Sequence, residues 1–257
     1  MIKVIFLGTG TSQGVPVIGC VCKVCTSMDK KDQRLRCAIL VSVGTTNIVI
    51  DVGPDFRQQL LRAKITTLDA ILLTHEHNDH IIGMDDVRPL NFSQKKHMPV
   101  YASQRVQADL KKRFSYIFEA EPYPGAPRVE LHSIQASDNF EVEGIPIVPI
   151  EVLHGDLPVL GFRFNNFTYI TDAKTISDTE LAKVQGTEIL VLNALHHTPH
   201  HTHLNLEEAL ALIEKIQPKK AYLTHISHRM GLDKEVAEML PANVFLAYDG
   251  LALEIKC

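Results

Sequence analysis

Short runs of apolar and β-branched residues recur along the whole chain, and clusters of glycine, proline and polar residues separate them. Runs of this length and composition are typical of β-strands. Helical spacing of apolar residues is confined to a few segments between them, so the pattern predicts a sheet-based scaffold with interspersed helices. Strands are predicted at 3–7, 36–43, 47–50, 71–73, 100–101, 131–134, 140–142, 145–152, 161–164, 167–170, 189–192, 221–224, 244–247 and 251–255, and helices at 56–61, 81–88, 103–114, 206–216 and 233–240.

Polar residues before two of these helices are suited to capping them. Asp55 precedes the helix at 56–61 and is a candidate N-cap. Asn205 precedes a later helix, and Glu208 three residues further on completes the pattern of a capping box.

One apolar run is followed at once by a dense cluster of potential metal ligands. His75 and His77 lie two residues apart, so an extended chain projects both to the same side. Asp79 and His80 fall in the turn that follows and face a second point nearby. The spacing therefore predicts two adjacent metal ions. Imidazole suits zinc, and the carboxylate extends the choice to manganese or iron.

Further polar residues follow other predicted strands. His154, Asp172 and His225 each come directly after a strand-like run. Residues at strand ends can meet in a single cleft of a sheet-based scaffold. Asp51 also ends a strand, so it is either a hydrogen-bond partner behind the metal loop or a simple turn aspartate.

Three of the five cysteines are packed into the loop at 19–26. Cys20, Cys22 and Cys25 could face one tetrahedral zinc that lacks a fourth ligand. Such clustering is more typical of a metal clip in a reducing cytosol than of a disulfide framework, so a cytoplasmic protein is expected. Cys37 is predicted to be a small core residue, and Cys257 is predicted to be free.

Composition narrows the choice of partners. The 257 residues carry a net charge of −4, with 45% hydrophobic and 22% charged residues, as in ordinary globular proteins. An acidic chain offers no broad basic surface for nucleic acid or for an anionic membrane. No apolar run approaches the roughly 20 residues that span a bilayer, and the amino terminus has no signal-peptide pattern. A small-molecule substrate is therefore expected, with neither nucleic acid nor membrane as partner.

Two features of the sequence each allow two interpretations. Arg88 could meet a substrate anion, because a guanidinium forks onto phosphate, or form a surface salt bridge with Asp85. The proline-rich segment at 116–129 could form a lid over the pocket or a contact between two copies of the chain, as in a homodimer.

The chain contains the signature His75-x-His77-x-Asp79-His80, with later histidines and an aspartate at strand ends. In this it resembles the metallo-β-lactamase-fold hydrolases, and the resemblance covers nearly the whole chain. The resemblance implies an α+β fold: a four-layer αββα sandwich of two mixed β-sheets packed face to face, with helices outside, in a single domain over 1–257. It also implies a dinuclear site at one edge of the sandwich. The implied ligands are His75, His77 and His154 for one ion, Asp79, His80 and His225 for the other, and Asp172 as the bridge.

Within that fold, the cysteine clip is similar to a structural zinc site of the PhnP-like phosphodiesterases. The resemblance implies that His228, three residues after His225, completes the clip. It also implies that His203, in His203-x-Asn205-Leu206, is the general acid, with His200 as the runner-up. Asp79 joins them as a catalytic residue. No role is assigned to the other three histidines of the segment, which are expected to be exposed or to lie behind the ligands: His196, His197 and His201.

The implied activity is that of a dinuclear metal-dependent phosphodiesterase. A metal-bridging hydroxide would attack a small ribose phosphate or nucleotide diester, cyclic or linear, and a histidine would protonate the leaving group. The implied cofactors are two divalent cations, zinc or manganese, and one structural zinc. The alternatives are a ribonuclease Z-like endonuclease that processes tRNA 3′ ends and a PqqB-like cofactor-biosynthesis protein. A β-lactamase is disfavoured, because an aspartate replaces the cysteine or asparagine-type sites that such enzymes use for zinc.

Overall fold

Two seven-stranded β-sheets form the centre of the protein, described here by a computed structural model that covers residues 1–256. In chain order the strands are β1 (Ile2–Gly8), β2 (Ala38–Val43), β3 (Thr46–Ile50), β4 (Ala70–Leu72), β5 (Met98–Ala102), β6 (Val129–Ser133), β7 (Phe140–Val142), β8 (Ile145–His154), β9 (Leu157–Phe164), β10 (Phe167–Ile170), β11 (Ile189–Asn193), β12 (Lys220–Thr224), β13 (Val244–Leu246) and β14 (Ala252–Ile255). The helices are α1 (Phe56–Ala63), α2 (Asn78–Ile81), α3 (Arg88–Gln94), α4 (Gln104–Arg113), α5 (Asp178–Val184), α6 (Leu206–Ile216) and α7 (Asp233–Ala237).

Both sheets combine antiparallel and parallel strands. The first has the order β14-β1-β2-β3-β4-β5-β6, in which β3 to β6 run parallel. The second has the order β13-β12-β11-β10-β9-β8-β7, in which β10 to β13 run parallel. The carboxyl ends of parallel strands share an edge of their sheet, which is where such sheets usually bind ligands. The predicted pair of mixed sheets is confirmed.

Three apolar clusters explain why the layers pack as they do. One lies between the sheets and contains Phe6, Phe162 and Tyr169, all fully buried. A second packs α1 and α4 onto the outer face of the first sheet, and the third packs α5 and α6 onto the outer face of the second. Each sheet is therefore apolar on both faces, and the predicted αββα sandwich is confirmed.

Local signals were sound for most elements but not for every helix. The segment predicted to be helical at 81–88 is a 3₁₀ helix over Ile82–Val87 that leads into α3, and α3 itself was not predicted. Asn205 and Glu208 form the predicted capping box. The prediction that Asp55 caps α1 is wrong, because its carboxylate binds the backbone and guanidinium of Arg36 instead. The helix predicted at 233–240 ends at Ala237.

Helix α5 was not predicted, although its signal is present in the sequence. Ser177 accepts a hydrogen bond from the backbone of Glu180, as in the first half of a capping box.

Across residues 1–256, none of the helices combines the length and the apolar character that crossing a membrane would require. The prediction for Cys257 lies outside the described residues.

Candidate functional site

The predicted active-site ligands converge on one edge of the sandwich, although they come from both sheets. The loop after β4 carries His75 and His77, and the short helix α2 that follows it carries Asp79 and His80. From the second sheet, β8 ends at His154, and Asp172 and His225 closely follow β10 and β12. Three groups of side chains hold ligand atoms within 4.8 Å of one another: His75 with His80 and Asp172, Asp79 with His80 and His225, and His154 with Asp172 and His203.

Asp172 lies at the centre of this cluster. Its Oδ2 is 3.3 Å from Nε2 of His80, and its Oδ1 is 3.2 Å from Nε2 of His225. A carboxylate oxygen of Asp172 also lies within 4.8 Å of ligand atoms of His75 and of His154, so Asp172 is close to both halves of the cluster, as a bridging carboxylate requires. Asp79 approaches the same two rings, with Oδ2 3.2 Å from His80 Nε2 and 3.8 Å from His225 Nε2.

The other half of the cluster is formed by three histidines. Nε2 of His75 is 3.0 Å from Nδ1 of His77, and the ring of His154 lies 5.9 Å and 5.3 Å from these two rings. Nδ1 of His154 donates to the carbonyl oxygen of Thr202, so its Nε2 keeps a lone pair for a metal. His77 is the exposed member and lies outside the three compact groups.

Asp51 is a hydrogen-bond partner behind the metal loop, the first of the two roles that the sequence allows for it. Its carboxylate accepts hydrogen bonds from the backbone and the hydroxyl of Thr74 and, at 2.7 Å, from Nδ1 of His80. Because Nδ1 of His80 carries the proton, Nε2 faces Asp79 and Asp172 with a free lone pair.

Several nitrogens of the cluster are buried without a hydrogen-bond partner. In the described part of the chain these include Nε2 of His80, both ring nitrogens of His225 and Nδ1 of His203. Buried polar atoms without partners are costly and rare. Divalent cations between Nε2 of His80 and His225 and the carboxylates of Asp79 and Asp172 would satisfy these two nitrogens, so the residues fit metal binding.

The electrostatics of the cluster also favour cations. Burial alone would lower the pKa of His80, but the charges of Asp172, Asp79 and Asp51 raise it well above its usual value. Burial likewise opposes ionisation of Asp172, yet the surrounding histidines hold its pKa below the usual range. The carboxylates thus remain charged and attract positive charge into a buried site.

The turns that present these ligands are strained. Asp51, Asp172 and His225 each follow a strand with positive φ angles of 67°, 57° and 56°. Left-handed backbone is uncommon for residues with side chains and concentrates at functional sites. Here it turns each side chain out of its strand and towards the cluster.

Two glycines let the ligand loop pack directly on its neighbours. A Cβ atom at Gly53 would lie 2.0 Å from the carbonyl oxygen of Asp79, and one at Gly83 would lie 2.2 Å from the carbonyl oxygen of Gly53. A larger residue at either position would push the loop away from the turn after β3.

His203 lies beside the cluster. Its ring is 4.4 Å from that of His154 and 4.8 Å from that of His225, and its Nδ1 is 3.7 Å from Asp172. Burial and the nearby His225 lower the pKa of His203 to about 2. A proton on this ring therefore needs negative charge beside it.

The rest of the histidine-rich segment lies further out. His200 accepts hydrogen bonds from Thr202, and its ring is 5.2 Å from that of His203. His197 and His201 are exposed, as expected, whereas His196 is buried.

Arg88 forms a salt bridge with Asp85, which is the alternative to contact with a substrate anion. Its guanidinium lies 2.5 Å from the carboxylate of Asp85, which also accepts a hydrogen bond from Tyr116. Tyr116 thereby attaches the segment 116–129 to the start of α3.

The three clustered cysteines and His228 form a second, separate group. Nδ1 of His228 is 3.4 Å from the sulfurs of Cys20 and Cys22 and 3.5 Å from that of Cys25. Tetrahedral zinc with sulfur at about 2.3 Å and nitrogen at about 2.1 Å would place these atoms about 3.6 Å apart. The group therefore has the size of a closed zinc site.

The thiols of this group are prepared for metal binding. The N–H of Cys25 and the ring of His228 lower the pKa of Cys22 to about 6, so its sulfur is largely a thiolate near neutral pH. Burial raises the pKa of Cys25 to about 11. A cation would be needed to hold all three sulfurs as thiolates.

A short strand-like bridge joins the two groups. Ile226, between His225 and Ser227, exchanges backbone hydrogen bonds with Thr9 and Thr11. The glycine-rich turn after β1 therefore supports the segment that serves both groups.

Sequence reasoning missed two contacts around the ligands. The hydroxyl of Thr171 donates to Oδ2 of Asp172 at 2.6 Å. The sequence indicates this contact only through the position of a polar residue directly before the ligand. Arg105 of α4 pairs with Glu76 in the ligand loop, and no local pattern points to that contact. Cys37 is buried as predicted.

Comparison with known proteins agrees with this geometry. A family model described as a beta-lactamase superfamily domain matches residues 46–226. The chain is similar to the crystal structure of a new diphosphatase from the PhnP family, with 40% identity, coverage of 100% of this chain and 98% of that one, and a TM-score of 0.93. Zn²⁺-bound PqqB from Methylobacterium extorquens shares the fold, with 19% identity, coverage of 98% and 100%, and a TM-score of 0.82.

One curated relative carries a different name. An octanoyltransferase of Porphyromonas gingivalis is 39% identical over 251 residues, which are 97% of this chain and 51% of the relative. The chain thus spans about half the length of that protein.

Proposed function

The chain belongs to the beta-lactamase superfamily, and we propose that it is a metal-dependent hydrolase that cleaves a small phosphodiester at a dinuclear metal centre. The observation that carries the proposal is the cluster around Asp172. Its two carboxylate oxygens lie 3.3 Å and 3.2 Å from Nε2 of His80 and His225, two atoms that are buried without partners in the described part of the chain. Its carboxylate is also within 4.8 Å of ligand atoms of His75 and of His154, so it is close to both proposed ion positions.

The proposed division of residues is the one that the family resemblance implies. Asp79, His80 and His225 would hold one cation, His75, His77 and His154 would hold the other, and Asp172 would serve both. When bound, the two divalent cations lower the pKa of water between them and neutralise charge on a phosphoryl group. Two carboxylates among the ligands keep the centre from becoming so positive that it would hold the anionic product.

His203 is the proposed proton donor for the leaving group. Its buried Nδ1 faces Asp172, so we place the transferred proton on Nε2. Burial and His225 disfavour the charged ring, and a phosphoryl anion beside it would raise the pKa of His203 again. Substrate binding thus loads the ring with the proton that a departing alkoxide requires.

Two substrate classes fit the proposed centre. The similar diphosphatase of the PhnP family suggests a diphosphate as the second candidate, because a diphosphate also offers a phosphorus–oxygen bond between charged groups. The two classes differ in the leaving group, an alkoxide in one case and a phosphate in the other.

A substrate panel tests the proposal. The metal-loaded protein is expected to hydrolyse cyclic and linear ribose phosphodiesters faster than a nucleoside diphosphate sugar, a precursor tRNA or an octanoyl thioester. Treatment with a chelator should abolish the activity, and added zinc or manganese should restore it. Preferential cleavage of the precursor tRNA would favour a ribonuclease, and octanoyl transfer would favour the activity named for the longer relative.

Changing His203 to alanine tests the proton donor. A positioned acid contributes about 10²–10⁴-fold, so we expect a loss of that size on diesters with alkoxide leaving groups. Diesters with activated aryl leaving groups need little protonation and should lose far less.

His200→Ala is the matched control, since His200 lies 5.2 Å from His203 and further from the ligands. Equal losses on both kinds of substrate would remove His203 from the role. Loss of a metal ion from the His203→Ala protein would instead make His203 a ligand, in line with its short distance to Asp172.

A further inference from the structure

Helix α4 lies against the loop that carries the first ligands. Arg105, near the start of α4, pairs with the carboxylate of Glu76, which stands between His75 and His77 in the chain. The last residue of the helix, Arg113, donates to the side chain of Asn78, directly after His77. The loop is therefore held from outside at two points.

Arg105 also reaches the other sheet. A second nitrogen of its guanidinium donates to the carbonyl oxygen of Pro158 in β9. That residue follows Leu157, which is paired with His154 across the β8–β9 hairpin. Arg105 thus joins the loop of His75 and His77 to the hairpin that ends at His154.

This link matters because it adds a directional contact between the ligand-bearing loop and the hairpin that ends at His154. They belong to different sheets, which are held together by side-chain packing that is not directional. One backbone hydrogen bond joins the sheets here, from the N–H of Leu160 to the carbonyl oxygen of Thr74 at 3.1 Å. The guanidinium adds a planar, two-partner contact next to the ligands themselves.

We infer that Arg105 is a positioning residue for the half of the metal centre formed by His75, His77 and His154, an inference that rests on the proposed dinuclear function. It acts through Glu76 and Pro158 and does not touch the ions. Its role is to hold the loop of His75 and His77 and the hairpin that ends at His154 at the spacing that one cation needs.

The surroundings of Glu76 indicate what its loss would do. The Glu76 side chain is 18% exposed, and its Oε2 is buried without a partner, so Arg105 supplies most of what stabilises its charge. A carboxylate left unpaired at this depth would move towards water or towards the nearby cation. Either movement displaces the histidines on both sides of it.

The test uses Arg105→Met, which keeps the aliphatic length and removes the guanidinium. Metal affinity is measured by calorimetric titration of zinc or manganese into protein stripped of its exchangeable ions. Contacts behind metal ligands typically contribute 10–100-fold in affinity, so one exchangeable ion should bind about 10–100-fold more weakly. The other exchangeable ion and the zinc at the cysteines should be retained.

Three companion variants separate positioning from general damage. Lys112→Met removes a positive charge from the exposed face of the same helix and should bind both ions as the wild type does. Arg105→Lys keeps the charge but not the fork, so it should recover only part of the affinity. Glu76→Gln keeps the shape of Glu76 and removes the charge that Arg105 pairs with, so it should weaken binding of the same ion. It provides the test if Arg105→Met folds poorly.

The possible results are distinct. Unchanged affinity for both ions in Arg105→Met would overturn the inference and leave the dinuclear centre standing. A wild-type protein that binds only one exchangeable ion would overturn the dinuclear centre and the inference with it. A lower melting temperature of the metal-free variant, without selective loss of one ion, would make Arg105 a purely structural residue and contradict the inference.

Discussion

Replacing Asp172 with asparagine is expected to release both exchangeable ions and to lower hydrolysis by more than about 100-fold. Even residues behind metal ligands typically contribute 10–100-fold in affinity or activity, and Asp172 is close to His80 and His225 in one half of the cluster and to His75 and His154 in the other. Asparagine has nearly the same shape but lacks the charge that balances His80 and His225.

Elemental analysis gives the direct readout. The wild-type chain should contain about three metal ions, of which one resists mild chelation, because a closed cysteine site holds zinc more tightly than an open one. The Asp172→Asn chain should retain about one.

Asp178→Asn is the control, since this carboxylate is 94% exposed on α5 and pairs only with Lys215 at the surface. It should leave both metal content and activity unchanged. An Asp172→Asn protein with wild-type metal content would show that this carboxylate does not bridge the ions.

Changing Cys22 to serine is expected to release the resistant zinc and to lower the melting temperature. Cys22 lies 3.4 Å from His228 and carries the thiol with the lowest pKa of the group, about 6. Loss of a structural zinc ligand should reduce the melting temperature by at least about 4 °C, the shift for roughly 1–2 kcal/mol in a chain of this size.

Residual activity decides how the two metal groups are related. His225 and His228 are three residues apart, so loosening the cysteine group should reduce activity indirectly while the exchangeable ions remain. Lys23→Met is the control in the same loop, because its exposed pair with Glu235 contributes little. Complete loss of activity with all three metals retained would contradict a structural role for the cysteine group.

The sequence was most informative where function depends on neighbouring residues. His75, His77, Asp79 and His80 lie within six positions, so alternation along extended chain and the turn that follows already place them at two adjacent points. The three cysteines are equally local, and their loop needed no knowledge of the sheets. Most strands were also predicted, because apolar runs of strand length are short-range signals.

Residues further apart required other support. His154, Asp172 and His225 are ordinary strand-end residues when taken singly, and only the family resemblance selected them. The structure places Asp172 and His225 next to His80 because β10 and β12 end at the same edge as β4. Strand order and sheet packing determine that meeting, and no local spacing encodes either.

The sequence by itself therefore determined the kinds of ligands, their local spacing and the strands that carry them. Only the tertiary structure decided which groups support them: Asp51 behind His80, and Arg105 between Glu76 and Pro158. The physical reason is that periodicity and turn chemistry act over a few residues, whereas these contacts form only when the two sheets pack at one distance and register. Asp51 and Asp172 adopt left-handed backbone for the same reason, since the packed edge, and not local preference, holds them there.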